Sequence, residues 1–293
     1  MSLRLEMLQV ARLATKSLGE SSELVESFVR SKQNGDGGFA DRDGKSDLYY
    51  TTFAIDALTA LQVELPVEPL RAYLESFGTG DNLDFVHLCC LARNWSAIEK
   101  NHDCIDTLLA RIDSDYRTAD GGYNQSTKAA TGSAYGSFLA YGAYADHGFM
   151  PPNLDGMKAS LDALLDKNEG AWANDTDLPI INVPATAAAV TLYRNIRQPI
   201  PEKTPGWILS NLHAQGGFCP FPGAPMPDLL STAVGLHCLD GLQVPLTNIQ
   251  DACLDFIDSL WTADGGFHGT WDDEMLDIEY TYYGLLALGH LSL

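Results

Sequence analysis

A glycine-glycine-aromatic triplet returns along this chain at nearly constant intervals. It stands at Gly37-Gly38-Phe39, Gly121-Gly122-Tyr123, Gly170-Ala171-Trp172, Gly216-Gly217-Phe218 and Gly265-Gly266-Phe267. The last three intervals are 49, 46 and 49 residues, and the first is 84. Halving the long interval lands near Gly78-Thr79-Gly80, a degenerate copy, so the chain divides into six units of 41–49 residues. A fixed period of this size marks one supersecondary unit, repeated and stacked on its neighbours.

Each unit contains two helical patterns. Ahead of the glycines run amphipathic stretches at 22–33, 69–77, 102–112, 153–167, 204–212 and 248–261. Behind them run more apolar stretches at 48–61, 83–91, 134–145, 185–193, 230–242 and 278–291. A helix with one polar face suits an outer layer, and one that is apolar nearly all round suits an inner layer. Strand-like alternation is hard to find. The pattern predicts an all-α (α/α)6 toroid of six helical hairpins, built as a single repeat domain over residues 1–293, with the inner helices lining a central funnel.

The glycines reverse the chain after each outer helix, which needs a positive φ, and the aromatic that follows is expected to plug the seam between neighbouring hairpins. A second repeated feature marks the inner-helix starts. Asp47, Asn182, Asp228 and Asp277 each precede a helical run, with Thr51, Thr186, Thr232 and Thr281 four residues on. Asp and Asn are strong N-caps. Recurrence makes capping a better explanation than four separate catalytic acids.

Charge and cysteine usage narrow the partners. A net charge of −21 repels nucleic acid and anionic membranes. No apolar stretch is long enough to span a bilayer, and residues 1–18 read as a first amphipathic helix without a secretory layout. The six cysteines form no CxxC pair and read as small buried hydrophobes in a reducing, cytoplasmic setting.

Gln33-Asn-Gly-Asp-Gly-Gly-Phe39 fits the glutamine- and glycine-containing aromatic repeat of squalene and hopene cyclases. Residues 37–58 resemble the β subunit of protein farnesyl- and geranylgeranyltransferases. Gly37, Gly38, Asp41, Gly44, Lys45, Ser46, Asp47, Tyr49 and Thr51 follow that family's segment, one residue shorter after Ser46. The resemblance implies the toroid, an isoprenoid ligand, and a zinc ion held by Asp, Cys and His. Tyr50 stands where the histidine would be, and Gly132-Ser133-Ala134-Tyr135 stands where the Asp and Cys would be. All three ligands are absent, whereas zinc catalysis needs three of them and an open position. His87 and His237 read as solitary residues on helices. The cyclase acid motif fares no better, since Asn182-Val-Pro-Ala-Thr-Ala187 keeps Thr-Ala without an acid, and Asp175-Thr-Asp177 falls in a loop. The Cys-Gly-Glu-Gln segment of complement-like thioester domains, which share the toroid, does not occur.

The resemblance therefore implies an isoprenoid-handling protein that binds a prenyl or terpenoid ligand in an aromatic funnel, without zinc or another cofactor. Any transferase activity would be divergent, and enzyme and pseudoenzyme both remain open. The expected contacts are Asp47, Tyr49, Tyr50, Lys128, Tyr135, Phe138, Asp277 and Tyr280. Lys128 alone retains the family's basic residues for a diphosphate. Two rivals stand beside this reading. One is a non-catalytic scaffold with a protein partner. The other is an (α/α)6 carbohydrate enzyme, for which the acids Asp272, Asp273, Glu274, Asp277 and Glu279 beside Trp271 are the evidence.

Overall fold

The computed structural model describes residues 2–293. The chain opens with α1 (Leu3–Ala11) and α2 (Ala14–Leu18). Six helix pairs follow: α3 (Ser22–Ser31) with α4 (Leu48–Ala60), α5 (Val67–Glu75) with α6 (Phe85–Ile98), and α7 (Ile105–Tyr116) with α8 (Ala134–Asp146). Then come α9 (Leu154–Ala163) with α10 (Val183–Asn195), α11 (Thr204–Ser210) with α12 (Leu229–Gly241), and α13 (Gln250–Leu260) with α14 (Ile278–His290). The six hairpins expected from the repeat are present, each with a leading helix before the glycines and a trailing helix after them. Two small antiparallel hairpins, β1 (Phe39–Ala40) with β2 (Ser46–Asp47) and β3 (Leu165–Asp166) with β4 (Ala171–Trp172), lie in the connections.

Two expected helices are cut short. The single helix over 1–18 breaks between Ala11 and Ala14, where the backbone of Val10 and Ala11 lies against Gly289 so closely that a Cβ there would meet the Val10 oxygen at 2.2 Å. The helix expected over 153–167 ends at Ala163, because the next residues enter β3.

In five of the six repeats the link between the glycine turn and its trailing helix is a side-chain hydroxyl. In the first repeat, the Phe39 N–H donates to Thr51 Oγ1 at 3.0 Å, and the same hydroxyl donates to the Asp47 carbonyl at 2.6 Å. In the fifth, Phe218 N–H reaches Thr232 Oγ1 at 2.9 Å and Thr232 donates to the Asp228 carbonyl at 2.7 Å. The sixth repeats this with Phe267, Thr281 and Asp277, and the fourth joins Trp172 N–H to Thr186. The third uses serine, with Tyr123 N–H on Ser137 Oγ. The caps are as expected: Asp47, Asn182, Asp228 and Asp277 accept from first-turn amides, and Ser133 and Asp84 cap α8 and α6 in the same way.

The aromatics are fully buried. Three of them make contacts inside their own repeat. Trp172 Nε1 donates to the Leu161 carbonyl, Tyr123 Oη donates to Asp113, and the Phe267 ring lies over Gly284. The seam contact falls to the first glycine. Gly216 (φ +85°) lies against the leading helix of the next repeat, where a Cβ would stand 1.8 Å from the Ala252 oxygen. Gly265 meets the Leu24 oxygen of α3 in the same manner, at 2.2 Å from an added Cβ, so the sixth repeat packs on the first.

The chain divides into two compact units, residues 2–4 with 74–207 and residues 5–73 with 208–293. In the first, α6 packs on α7 and α8, and α8 on α10. In the second, α14 is the central element and packs on α4, α12 and α2. Here His237, read from sequence as solitary, is buried with its Nδ1 3.0 Å from His290 Nε2. Helical spacing on one element could not reveal a partner 53 residues away. All six cysteines are buried, and among the described residues no helix is long and apolar enough to cross a membrane.

The hydroxyl junction yields a direct test. Thr232→Val leaves the buried Phe218 N–H without its acceptor, which costs about 1–3 kcal/mol, whereas Thr232→Ser retains most of the stability. Urea unfolding of the two variants measures the difference, and equal midpoints would contradict the junction.

Candidate functional site

The second unit gathers a polar and aromatic cluster at the starts of α4 and α14. The β1–β2 connection presents Arg42, and Asp41 shapes that turn by accepting the Asp43 and Lys45 amides, each at 2.9 Å. Arg42 Nε donates to Asp277 Oδ2 at 2.6 Å, and Arg42 Nη2 donates to Asp273 Oδ2 at 2.7 Å. Its guanidinium lies 5.4 Å from the centre of the Tyr280 ring. Asp277 is thus used twice: Oδ1 caps α14 through the Tyr280 amide at 2.8 Å, and Oδ2 holds Arg42. Gly269 makes room for the Tyr280 ring, since a Cβ there would lie 2.5 Å from it.

Asp47 caps α4 through the amides of Tyr49 and Tyr50 and so sets both rings on the first turn. Tyr49 Oη donates to Glu279 Oε1 at 2.7 Å. From Tyr49 an aromatic chain continues to Phe53 (ring centroids 4.9 Å apart) and on to Tyr283 at 5.4 Å and Tyr282 at 5.7 Å. Tyr49, Tyr50, Phe53, Tyr280 and Tyr283 are only partly buried, so the chain offers ring surface as well as packing.

The protonation states follow from burial and charge. Burial pushes the Glu279 carboxyl up to about 7, against the opposing effects of the Tyr49 hydrogen bond and Arg42, and with the Asp277 charge adding to the rise. Burial also raises Asp277, offset in part by the Tyr280 amide and Arg42. For the more exposed Asp273 the rise from burial is outweighed by the Arg42 hydrogen bond and charge together with the Met275 and Gly269 amides, and the carboxyl lies below its ordinary value. Arg42 itself is held charged, because its two carboxylate bonds outweigh the effect of burial. Tyr50 and Tyr280 are each pushed up to about 12, chiefly by burial and then by the neighbouring carboxylates, so both stay neutral phenols.

Of the residues expected from sequence, Tyr49, Tyr50, Asp277 and Tyr280 come together in this cluster, with Asp47 as the cap beneath the two tyrosines. Lys128, Tyr135 and Phe138 belong to the first unit. Lys128 is exposed in the loop before α8, and Tyr135 and Phe138 stand on α8 itself, the Tyr135 amide donating to Asn174 Oδ1. Sequence reading missed Arg42 altogether and placed Glu279 only among a run of acids. Asp272 and Glu274 of that run are exposed. Tyr50, Gly132 and Ala134 supply no zinc-binding side chain, and among the described residues no three His, Cys, Asp or Glu stand close enough to hold a metal ion.

This fold and site define a helical-repeat protein of the toroid class. The chain belongs to the prenyltransferase alpha-alpha toroid domain family, whose model matches residues 5–87 and 163–292. No curated protein matches its sequence. Among solved structures it is similar to the type II terpene cyclase MstE of Scytonema in complex with merosterolic acid A, its product (15% identity, 95% of this chain and 97% of that one, TM-score 0.63). It is also similar to Candida albicans protein geranylgeranyltransferase-I complexed with GGPP (12% identity, 92% and 90%, TM-score 0.63). An α-1,6-mannanase from Salegentibacter sp. shares the fold at 11% identity (93% and 98%, TM-score 0.62).

The raised Glu279 carboxyl has a sign that can be checked. Between about 4.5 and about 7 the unfolded chain has released this proton while the folded chain still holds it, so stability falls as pH rises through that window. E279Q removes this dependence. The difference in urea midpoint between E279Q and the parent should grow in favour of E279Q from pH 4.5 to pH 7 and then level off. Parallel midpoint curves would contradict the assignment.

Proposed function

We propose that this protein binds a prenyl or terpenoid ligand, with the apolar chain against the α4 and α14 aromatics and the polar end toward Glu279, Tyr50 and Tyr280. The observation that carries this reading is the partly exposed aromatic chain Tyr49–Phe53–Tyr283 ending at a set of hydrogen-bonding groups. An apolar lining with a few placed polar groups is the usual composition of a small-molecule site. Membership of the prenyltransferase toroid family supports it. So do fold neighbours bound to GGPP and, in a second MstE structure, to the substrate geranylgeranyl dihydroxybenzoate.

Any transferase step is divergent and zinc-independent in this proposal, because the positions that would hold the metal carry Tyr50, Gly132 and Ala134. Tyr135, Phe138 and Lys128 are proposed as ligand contacts of the first unit. The proposal includes one cooperative domain over residues 1–293, a cytoplasmic location, and room for a protein partner. A carbohydrate hydrolase fits less well. It needs two available carboxyl groups, yet Asp273 and Asp277 are both engaged with Arg42.

Saturation with a C20 prenyl compound at a hundredfold excess over Kd should stabilise the chain by about 2.7 kcal/mol. Phe53→Ala should weaken binding about tenfold through lost ring contact. Thermal unfolding with and without the compound reads both effects. Failure of every C15 and C20 isoprenoid to raise Tm would overturn the proposal. The same scans should show a single calorimetric transition.

A further inference from the structure

We propose that the ligand of this site carries an uncharged oxygen, a hydroxyl or carbonyl, at its polar end and not a diphosphate. The inference rests on the isoprenoid reading above and specifies the class of molecule within it. Arg42 supplies the positive charge of the cluster, and each of its three nitrogens already reaches a carboxylate. Nε goes to Asp277 at 2.6 Å, Nη2 to Asp273 at 2.7 Å, and Nη1 toward Asp273 at 3.4 Å. A phosphate that took the Nε donor would pull the guanidinium away from Asp277, which is 3% exposed and would lose its counter-ion. The incoming anion would also meet Asp273 and Asp277 themselves. A strongly charged head group therefore finds repulsion where the family resemblance leads one to look for a basic patch.

The remaining donors are neutral. Tyr50 and Tyr280 keep their phenolic protons, and Glu279 holds its own up to about neutral pH. A protonated carboxyl both donates and accepts. While Glu279 accepts from Tyr49 on Oε1, its own O–H is available to an acceptor atom. Neutral hydroxyl donors beside partly exposed rings suit a hydroxyl or carbonyl oxygen on an apolar chain. Such a ligand disturbs no ion pair and leaves the α14 cap in place.

The test compares molecules with one chain and different heads. Calorimetric titration of the full chain with geranylgeraniol and with geranylgeranyl diphosphate, at pH 6 and pH 8.5, separates them. The alcohol is expected to bind at least about tenfold more tightly than the diphosphate at pH 6, and its affinity should fall severalfold at pH 8.5 as Glu279 loses its proton. E279A should weaken the alcohol about tenfold at pH 6, and E279Q should flatten the pH profile. Tighter binding of the diphosphate, lost in K128A, would overturn the inference while leaving the isoprenoid reading intact. Alcohol binding that ignores both pH and E279A would also overturn it. If neither C20 compound binds but α-1,6-mannobiose does, the isoprenoid reading itself fails.

Discussion

Five of the six repeats are tied together by a hydroxyl placed four residues after a helix cap. Thr51, Thr186, Thr232 and Thr281, with Ser137 as the serine variant, each accept the backbone N–H of the aromatic that follows the glycine turn. The aromatic is buried, so its amide needs a partner. Placing that partner on the trailing helix fixes the turn against the helix start. The cap residue, whose carbonyl receives the hydroxyl proton in three repeats, is thereby held as well. In these five repeats the turn is held on one side by hydroxyl and cap, and on the other by a glycine against the next leading helix.

The candidate site grows out of that same junction. Asp277 occupies the cap position of the sixth repeat, as Asp228 does in the fifth, and only one of its two oxygens is needed there. The other oxygen is available to Arg42, a residue delivered by the β1–β2 connection of the first repeat. A structural acid has thus become half of an ion pair. Once Arg42 is fixed between Asp273 and Asp277, its charge is balanced locally, and partial burial pushes the carboxyl of the adjoining Glu279 up to about 7. The result is a cluster rich in hydroxyl donors and poor in free positive charge.

How much of this the sequence could reveal follows from the range of each interaction. Caps, turn glycines and the cap-plus-four hydroxyl are local, and each repeats, so their meaning can be read from any copy. Asp47 and Asp277 were legible as caps for that reason. Arg42 was not legible, because its partners lie 231 and 235 residues away and occur in only one pair of repeats. Glu279 appeared as one acid among several. Nothing in its neighbours along the chain signals that Tyr49, 230 residues distant, bonds to it. His237 and His290 escaped for the same reason.

The most direct measurement is a crystal structure of the chain with geranylgeraniol bound. The alcohol oxygen is predicted within hydrogen-bonding distance of Glu279 or Tyr50, the prenyl chain against Phe53 and Tyr283, and Arg42 still paired with Asp273 and Asp277. Electron density for the ligand away from the α4 and α14 aromatics, or Arg42 released from both carboxylates to meet it, would contradict the site and the chemistry assigned to it.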